Sequence, residues 1–244
     1  MQQNKYDDPD FFAQYASMSR SVGGLQNAGE WHALQALLPD FHDKRVLDLG
    51  CGFGWHCRYA REQGASFVVG VDLSEKMLNR AKEINSDPRI EYRRLTIEEI
   101  DFAEGEFDIV ISSLAFHYVE RFDWVAQKIA NCLVRGGAFV MSVEHPIFSA
   151  RPAQDWYYGS NGERLHWPVD NYRQEGKRHS QWLTGDVIKY HRTVESYVNT
   201  LIDAGFQLSR LSEPQPSPAL LAENPGWQDE CRRPMFLLIA TIRS

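Results

Sequence analysis

Residues 46–56 read VLDLGCGFGWH, a short apolar run that enters three closely spaced glycines, Gly50, Gly52 and Gly54, and leads into a helical pattern. That order is strand, tight turn, helix. Glycine lets the backbone curl close to a ligand without a Cβ clash, and the N–H groups at the start of the new helix point towards what the turn encloses. A second apolar run, residues 67–71, ends at Asp72, which lies 20 residues beyond Gly52. An acid at that spacing can accept both hydroxyls of a ribose.

The rest of the chain sets limits on this reading. A length of 244 residues is enough for one large domain, or one domain with an insertion, and for a substantial core. The formal charge of -7 disfavours broad electrostatic contact with nucleic acid or anionic membrane. No apolar segment is long enough to span a bilayer, and the polar opening MQQNKYDDPD does not have the pattern of a signal peptide, so a cytoplasmic protein is expected. The four cysteines, Cys51, Cys57, Cys132 and Cys231, lack paired metal-ligand spacing and are too sparse for a disulfide framework. Reduced thiols and no metal are expected.

Two stretches in register, Leu47-Asp48-Leu49-Gly50-Cys51-Gly52-Phe53-Gly54 and Val69-Gly70-Val71-Asp72-Leu73-Ser74, resemble the first and second motifs of the class I S-adenosylmethionine-dependent methyltransferases, of the bacterial, small-molecule, type 11-like kind. A nicotinamide dinucleotide fold shares the logic of strand, turn and helix, but its fingerprint is G-x-G-x-x-G, and here Trp55 stands at the third glycine's place. Further matches follow in order: Phe102-Ala103-Glu104-Gly105-Glu106-Phe107-Asp108-Ile109-Val110 resembles the approach to the family's fourth strand, and Leu133-Val134-Arg135-Gly136-Gly137 its turn before the fifth. The resemblance covers residues 46–143 well and the final third more loosely.

By that resemblance the fold is a Rossmann-like, doubly wound α/β sheet of seven strands, mostly parallel with an antiparallel last strand, with helices on both faces. The implied reaction moves a methyl group from S-adenosylmethionine to a small-molecule acceptor and releases S-adenosylhomocysteine. The resemblance places Gly50, Cys51 and Gly52 near the methionine portion, Asp72 on the ribose, Leu73 and Met77 beside the adenosine, Thr96, Ile97 and Glu98 on the adenine side, and Leu114 near the methyl group. Thr96 stands where the family commonly carries an Asp, and Met77 reads more readily as core.

Along the chain, residues 9–20 and 28–38 have helical spacing. Helices ahead of the first strand often cover the cofactor in this family, which brings Tyr15 and Arg20 towards the methionine carboxylate; aromatic packing and a solvated arginine are the plainer alternative. Residues 107–112 and 138–143 read as the fourth and fifth strands, with Ser112, Ser113 and Leu114 at the carboxyl end of the former, where open α/β sheets bind ligands. His117 beside Tyr118, and His145 in Glu144-His145-Pro146, are the candidate catalytic groups, as general bases for an acceptor that arrives protonated. His117 also reads as a hydrogen-bonded structural histidine.

From about residue 148 to 190 the alternation of strand and helix stops, and Trp156, Tyr157, Tyr158, Trp167, Tyr172 and Trp182 are interleaved with Arg151, Arg164, Arg173, Lys177 and Arg178. This segment is expected to be an insertion with short antiparallel strands at residues 171–174 and 187–191 that covers the acceptor pocket. Stacking on nucleic-acid bases is the minority alternative. The expected organisation is thus a single domain over 1–244 with a helical cap at 1–40 and a lid-like insertion at 148–190, as a monomer or homodimer. Acceptors other than a small molecule, a protein or RNA, remain open, as do a non-catalytic S-adenosylmethionine-binding protein and a nicotinamide oxidoreductase. The Asp/Asn-Pro-Pro-Tyr/Phe motif of amino-methylating DNA enzymes is absent, since the fourth strand is followed by Ser112-Ser113-Leu114-Ala115.

Overall fold

A computed structural model describes residues 3–244; the first two residues of the expected cap lie outside the described residues. The chain opens with three short helices, α1 (Pro9–Ser17), α2 (Ser19–Val22) and α3 (Trp31–Leu37). It then alternates β1 (Arg45–Leu49), α4 (Trp55–Glu62), β2 (Phe67–Asp72), α5 (Glu75–Ile84), β3 (Ile90–Arg94), β4 (Phe107–Ser113), α6 (Phe122–Cys132) and β5 (Leu133–Glu144). A short α7 (Pro146–Ser149) leads into two hairpins, β6 (Tyr157–Tyr158) with β7 (Arg164–His166) and β8 (Gly176–Trp182) with β9 (Gly185–His191). The chain ends with α8 (Val194–Asp203), β10 (Phe206–Ser212), α9 (Pro218–Glu223) and β11 (Phe236–Arg243).

Seven strands form one sheet in the order β10-β11-β5-β4-β1-β2-β3, and β11 is antiparallel to both its neighbours. The doubly wound fold that the resemblance implies is therefore the observed one. Strand periodicity explains its two cores. Leu47, Leu49, Val69, Val71, Val110 and Phe139 face α6 and α8, where Phe122, Val125, Ile129, Tyr197 and Leu201 bury against them. Val46, Val68, Ile109 and Ile111 face the other way, onto Cys57, Ala60 and Leu78 of α4 and α5. Each buried Val, Leu, Ile or Phe among them contributes about 1.5–3 kcal/mol of transfer free energy.

Caps place the helix starts. Asp8 accepts from the N–H groups of Asp10 and Phe11 with Pro9 at the first helical position, Ser74 from Met77, and Thr193 from Ser196. The expected helix over 9–20 is instead two, because Met18 is extended (φ -64, ψ 148). The expected helix over 28–38 is shorter, Trp31–Leu37.

The insertion differs from expectation in its pairing. β9 pairs with residues Gly176–Trp182, from Gly176 opposite His191 to Trp182 opposite Gly185, not with 171–174. Asn171 has a left-handed backbone (φ 56), and the Gln174 N–H donates to its carbonyl, which makes that segment a turn. Gly136 (φ 76) sits in an irregular stretch at the start of β5, which pairs from Leu133 and so begins before the expected residue 138.

Candidate active site

The carboxyl ends of β1, β2, β4 and β5 open into a cavity of about 460 Å³, the position that open α/β sheets use for ligands. Because the sheet order runs β5-β4-β1-β2-β3, the cavity has two halves. One is built by the loops after β1, β2 and β3, the other by those after β4 and β5.

In the first half Gly50 carries φ 75 and Gly50 and Cys51 donate to the Val71 carbonyl at 2.8 and 2.9 Å, which ties the glycine turn to the end of β2. A Cβ on Gly50 would lie 2.5 Å from the Cβ of Ala115, so only glycine fits between the turn and the β4 loop. Asp72 is held from both sides: Oδ2 accepts from Gly52 N at 2.9 Å and Oδ1 from Ser74 N at 2.9 Å. Burial raises its pKa to about 6 against the lowering pull of those two N–H groups. Leu73, Met77, Thr96, Ile97 and Glu98 complete this wall. The Thr96 hydroxyl is used within its own turn, donating to Glu99 Oε2 at 2.8 Å and accepting from Glu99 N. Lys128 Nζ donates to the carbonyls of Glu98 and Ile100, 2.9 Å each, and fixes the turn against α6.

Tyr15 and Arg20 reach the cavity from the N-terminal helices. Arg20 Nη2 donates to Glu30 Oε1 at 3.1 Å, and Ser113 Oγ at the end of β4 donates to the same oxygen at 3.2 Å. Glu30, 1% exposed, therefore joins the helical cap to the sheet. Its Oε2 has no partner among the described residues. A smaller recess lined by Tyr15, Arg20, Gly50, Cys51, Gly52 and Ser113 shares its wall with the cavity, and of these two spaces Cys51 lines the recess. Burial pushes the Cys51 thiol up to about 11, so it is an inert thiol.

In the second half, Leu114 has a left-handed backbone (φ 53), unusual for a branched residue, and its N–H donates to the Ser142 carbonyl at 2.9 Å. With Leu114, the residues His117, Tyr118, Glu144, Trp182, Ile188 and Tyr190 line this half. His117 is neutral, with burial drawing its pKa down to about 4. His145 does not line either space. Its Nε2 pairs with Glu213 Oε1 at 2.6 Å and its Nδ1 accepts from Ile147 N at 3.0 Å, so the ring caps α7 behind the cavity. The reason is pleating: Glu144 and His145 are consecutive at a strand end and point to opposite sides.

Gln3, Asn4, Lys5 and Tyr6 line the cavity as an N-terminal strap that sequence patterning did not single out. Asp7 anchors the strap on the start of α5, accepting from Ser74 Oγ at 2.5 Å and Lys76 N at 3.1 Å. Gln3 Oε1 accepts from Ile188 N of β9 at 2.7 Å. Tyr6 is held between, edge-on to Tyr15 at 5.1 Å and to Trp182 at 6.5 Å.

A methyltransferase domain model matches residues 47–141, which span the glycine turn, Asp72 and the carboxyl end of β4 and stop within β5. A solved S-adenosylmethionine-dependent methyltransferase from Mesorhizobium loti is 44% identical, with TM-score 0.84 over 90% of this chain and 100% of that one. A candidate S-adenosylmethionine-dependent methyltransferase from Listeria monocytogenes is 49% identical, with TM-score 0.83 over 88% of this chain and 98% of that one. An uncharacterised Haemophilus influenzae protein is 35% identical over 96% of this chain and 94% of its own length.

The chain belongs to the S-adenosylmethionine-dependent methyltransferases.

Weaker relatives of this methyltransferase include a malonyl-[acyl-carrier protein] O-methyltransferase of Enterobacter lignolyticus, 36% identical over 45% of this chain and 43% of its own length. A tRNA U34 carboxymethyltransferase of Colwellia psychrerythraea is 30% identical over 46% of this chain and 35% of its own. The chain thus spans under half the length of each. The cavity suits the cofactor on its own evidence: the Asp72 carboxylate on its wall, a glycine turn that a Cβ would obstruct, and the Arg20 cation lining both the cavity and the recess. No helix among the described residues is long and apolar enough to cross a membrane.

Proposed function

We propose that this methyltransferase acts on a small molecule bound in the half of the cavity beneath β4 and β5, with the cofactor in the half beneath β1 to β3. The observation that carries this reading is how the insertion uses its basic and aromatic residues. An RNA or protein acceptor calls for an open basic groove. Here Arg233 stacks over Trp167 at 3.9 Å and Phe148 at 4.7 Å, Arg232 lies 4.7 Å from the Trp156 ring centre, and Lys189 is 2% exposed. Arg178 donates to the Ala150 and Gln174 carbonyls. Arg178 and Lys189 within the insertion, and Arg232 and Arg233 before β11, hold it down over the site, and the strap residues 3–6 line the same cavity.

Bound S-adenosylmethionine supplies a methyl carbon already activated by its sulfonium. The residues of the chain bind and orient. Asp72 accepts the ribose hydroxyls, Ile97, Leu73 and Met77 pack on the adenosine, and Glu98 borders the adenine. Gly50 and Gly52 leave room for the methionine portion, whose carboxylate Arg20 meets, with Tyr15 and the Cys51 backbone bordering it. Leu114 forms the wall at the methyl. Alignment of this kind supplies a large part of the rate in such a transfer. His117 is the one candidate histidine that borders the acceptor space.

A screen of radiolabelled methyl transfer into pooled small metabolites, beside pooled RNA and protein, tests the reading. Label in the small-molecule pool alone supports it, and label confined to RNA or protein refutes it.

A further inference from the structure

Glu144, the last residue of β5, lines the acceptor half with 17% of its side chain exposed. Its Oε1 accepts from Lys189 Nζ at 2.6 Å and its Oε2 from Gln154 Nε2 at 2.8 Å. Lys189 Nζ also donates to Gln154 Oε1 at 2.8 Å, so a closed triangle from β5, the loop after α7 and β9 fixes the carboxylate. Burial opposes ionisation of Glu144, but the Lys189 charge and the hydrogen bonds from Lys189 and Gln154 favour it, and its pKa lies below the ordinary value. A carboxylate oxygen has two lone pairs, so each keeps one after these bonds.

His117 supplies the complement. Its Nδ1 accepts the backbone N–H of Glu144 at 3.4 Å. A neutral imidazole whose Nδ1 accepts carries its proton on Nε2. The ring therefore has a donor left for the cavity and no free lone pair. The same fact argues against His117 as the base. Around the pair stand the rings of Tyr6, Tyr118, Trp182 and Tyr190.

We propose that Glu144 and His117 form an acceptor subsite for the hydroxyl group of a small aromatic compound, in which the hydroxyl donates to Glu144 and accepts from His117 Nε2–H. This rests on the small-molecule reading and narrows it. A carboxylate group cannot donate to Glu144 and meets its like charge. An ammonium donates to Glu144 but cannot accept from His117.

Three ligands of one skeleton test it: benzyl alcohol, benzoate and benzylamine, each titrated by ligand-observed NMR into the full chain saturated with S-adenosylhomocysteine. Benzyl alcohol is expected to bind at least tenfold more tightly than either charged analogue. In Glu144→Gln, checked for retained S-adenosylhomocysteine affinity, Lys189 loses its counter-charge and the preference is expected to turn to benzoate. Preference of the wild type for benzoate or benzylamine overturns the hydroxyl subsite while leaving the small-molecule reading intact, as does an order unchanged in the variant. Failure of all three to bind counts against both. The wild-type order decides the matter alone should the variant not fold.

Discussion

Asp72 Oδ2 accepts the backbone N–H of Gly52 at 2.9 Å across 20 residues of sequence, which fastens the acid that follows β2 to the turn that follows β1. The two motifs are thus one structure, and the carboxylate is oriented before any ligand arrives. Its pKa of about 6, raised by burial, sets a pH dependence. In the proposed binding mode ribose hydroxyls donate to the ionised form, so binding lowers that pKa. S-adenosylhomocysteine affinity should be flat above about pH 7 and should fall below pH 6 by up to about tenfold per unit. His117, neutral down to about 4, adds little in that window. Calorimetry across pH 5–8 checks this, and Asp72→Asn should flatten the profile.

The strap should govern exchange. Asp7→Ala removes acceptors for Ser74 Oγ, Lys76 N and the 3.5 Å pairing with Arg94. Bonds to a charged acceptor are worth about 1.5–3 kcal/mol each before compensation. Dissociation of S-adenosylhomocysteine, followed by stopped flow, should accelerate about tenfold or more, with a smaller change in overall stability.

Asp48 offers a test in the core. It is buried, Oδ1 has no partner among the described residues, and burial raises its pKa to about 7 against the lowering effect of the Cys57 thiol, which donates at 3.3 Å. The folded pKa lies above the ordinary 3.8, so the folded state holds a proton that the unfolded state has lost between about pH 4 and 7. Stability from this group therefore declines as pH rises through that window and stays reduced above it. Asp48→Asn should raise stability at pH 8, by up to about 4 kcal/mol, and by little at pH 4.5, as read from urea unfolding.

Arg233 locks the insertion to the segment before β11. Truncation to Ala removes stacking on Trp167, Phe148 and Trp156 and should cost about 2 kcal/mol or more. Limited proteolysis should then cut faster within residues 150–185 while the sheet persists. Lys should rescue poorly, since its ammonium lacks the planar face.

The glycine turn, Asp72 and the strand runs were legible because each rests on a local requirement: a left-handed turn, a spacing, a period of two. What stayed hidden depends on distant partners. Tyr6 gains its place only because Gln3 meets Ile188 and Asp7 meets Ser74, and no periodicity announces that. Glu30 reads as a solvated acid until Arg20 and Ser113 close on it. At the end of β5 the sequence marks the place well, yet alternation sends Glu144 into the cavity and His145 towards Glu213. The hairpin partner of β9 lies a few residues beyond the expected 171–174, because aromatic and basic residues occur on both sides of the Asn171 turn and their pattern does not mark where pairing starts.

A cofactor seated beneath β1 to β3 in the proposed mode places its ribose on Asp72. Calorimetric titration of S-adenosylhomocysteine into the wild type and Asp72→Ala is the decisive measurement. Saturable one-to-one binding to the wild type is expected, weakened at least tenfold in the variant with its fold intact. Equal affinity in the two proteins would remove the ribose from Asp72.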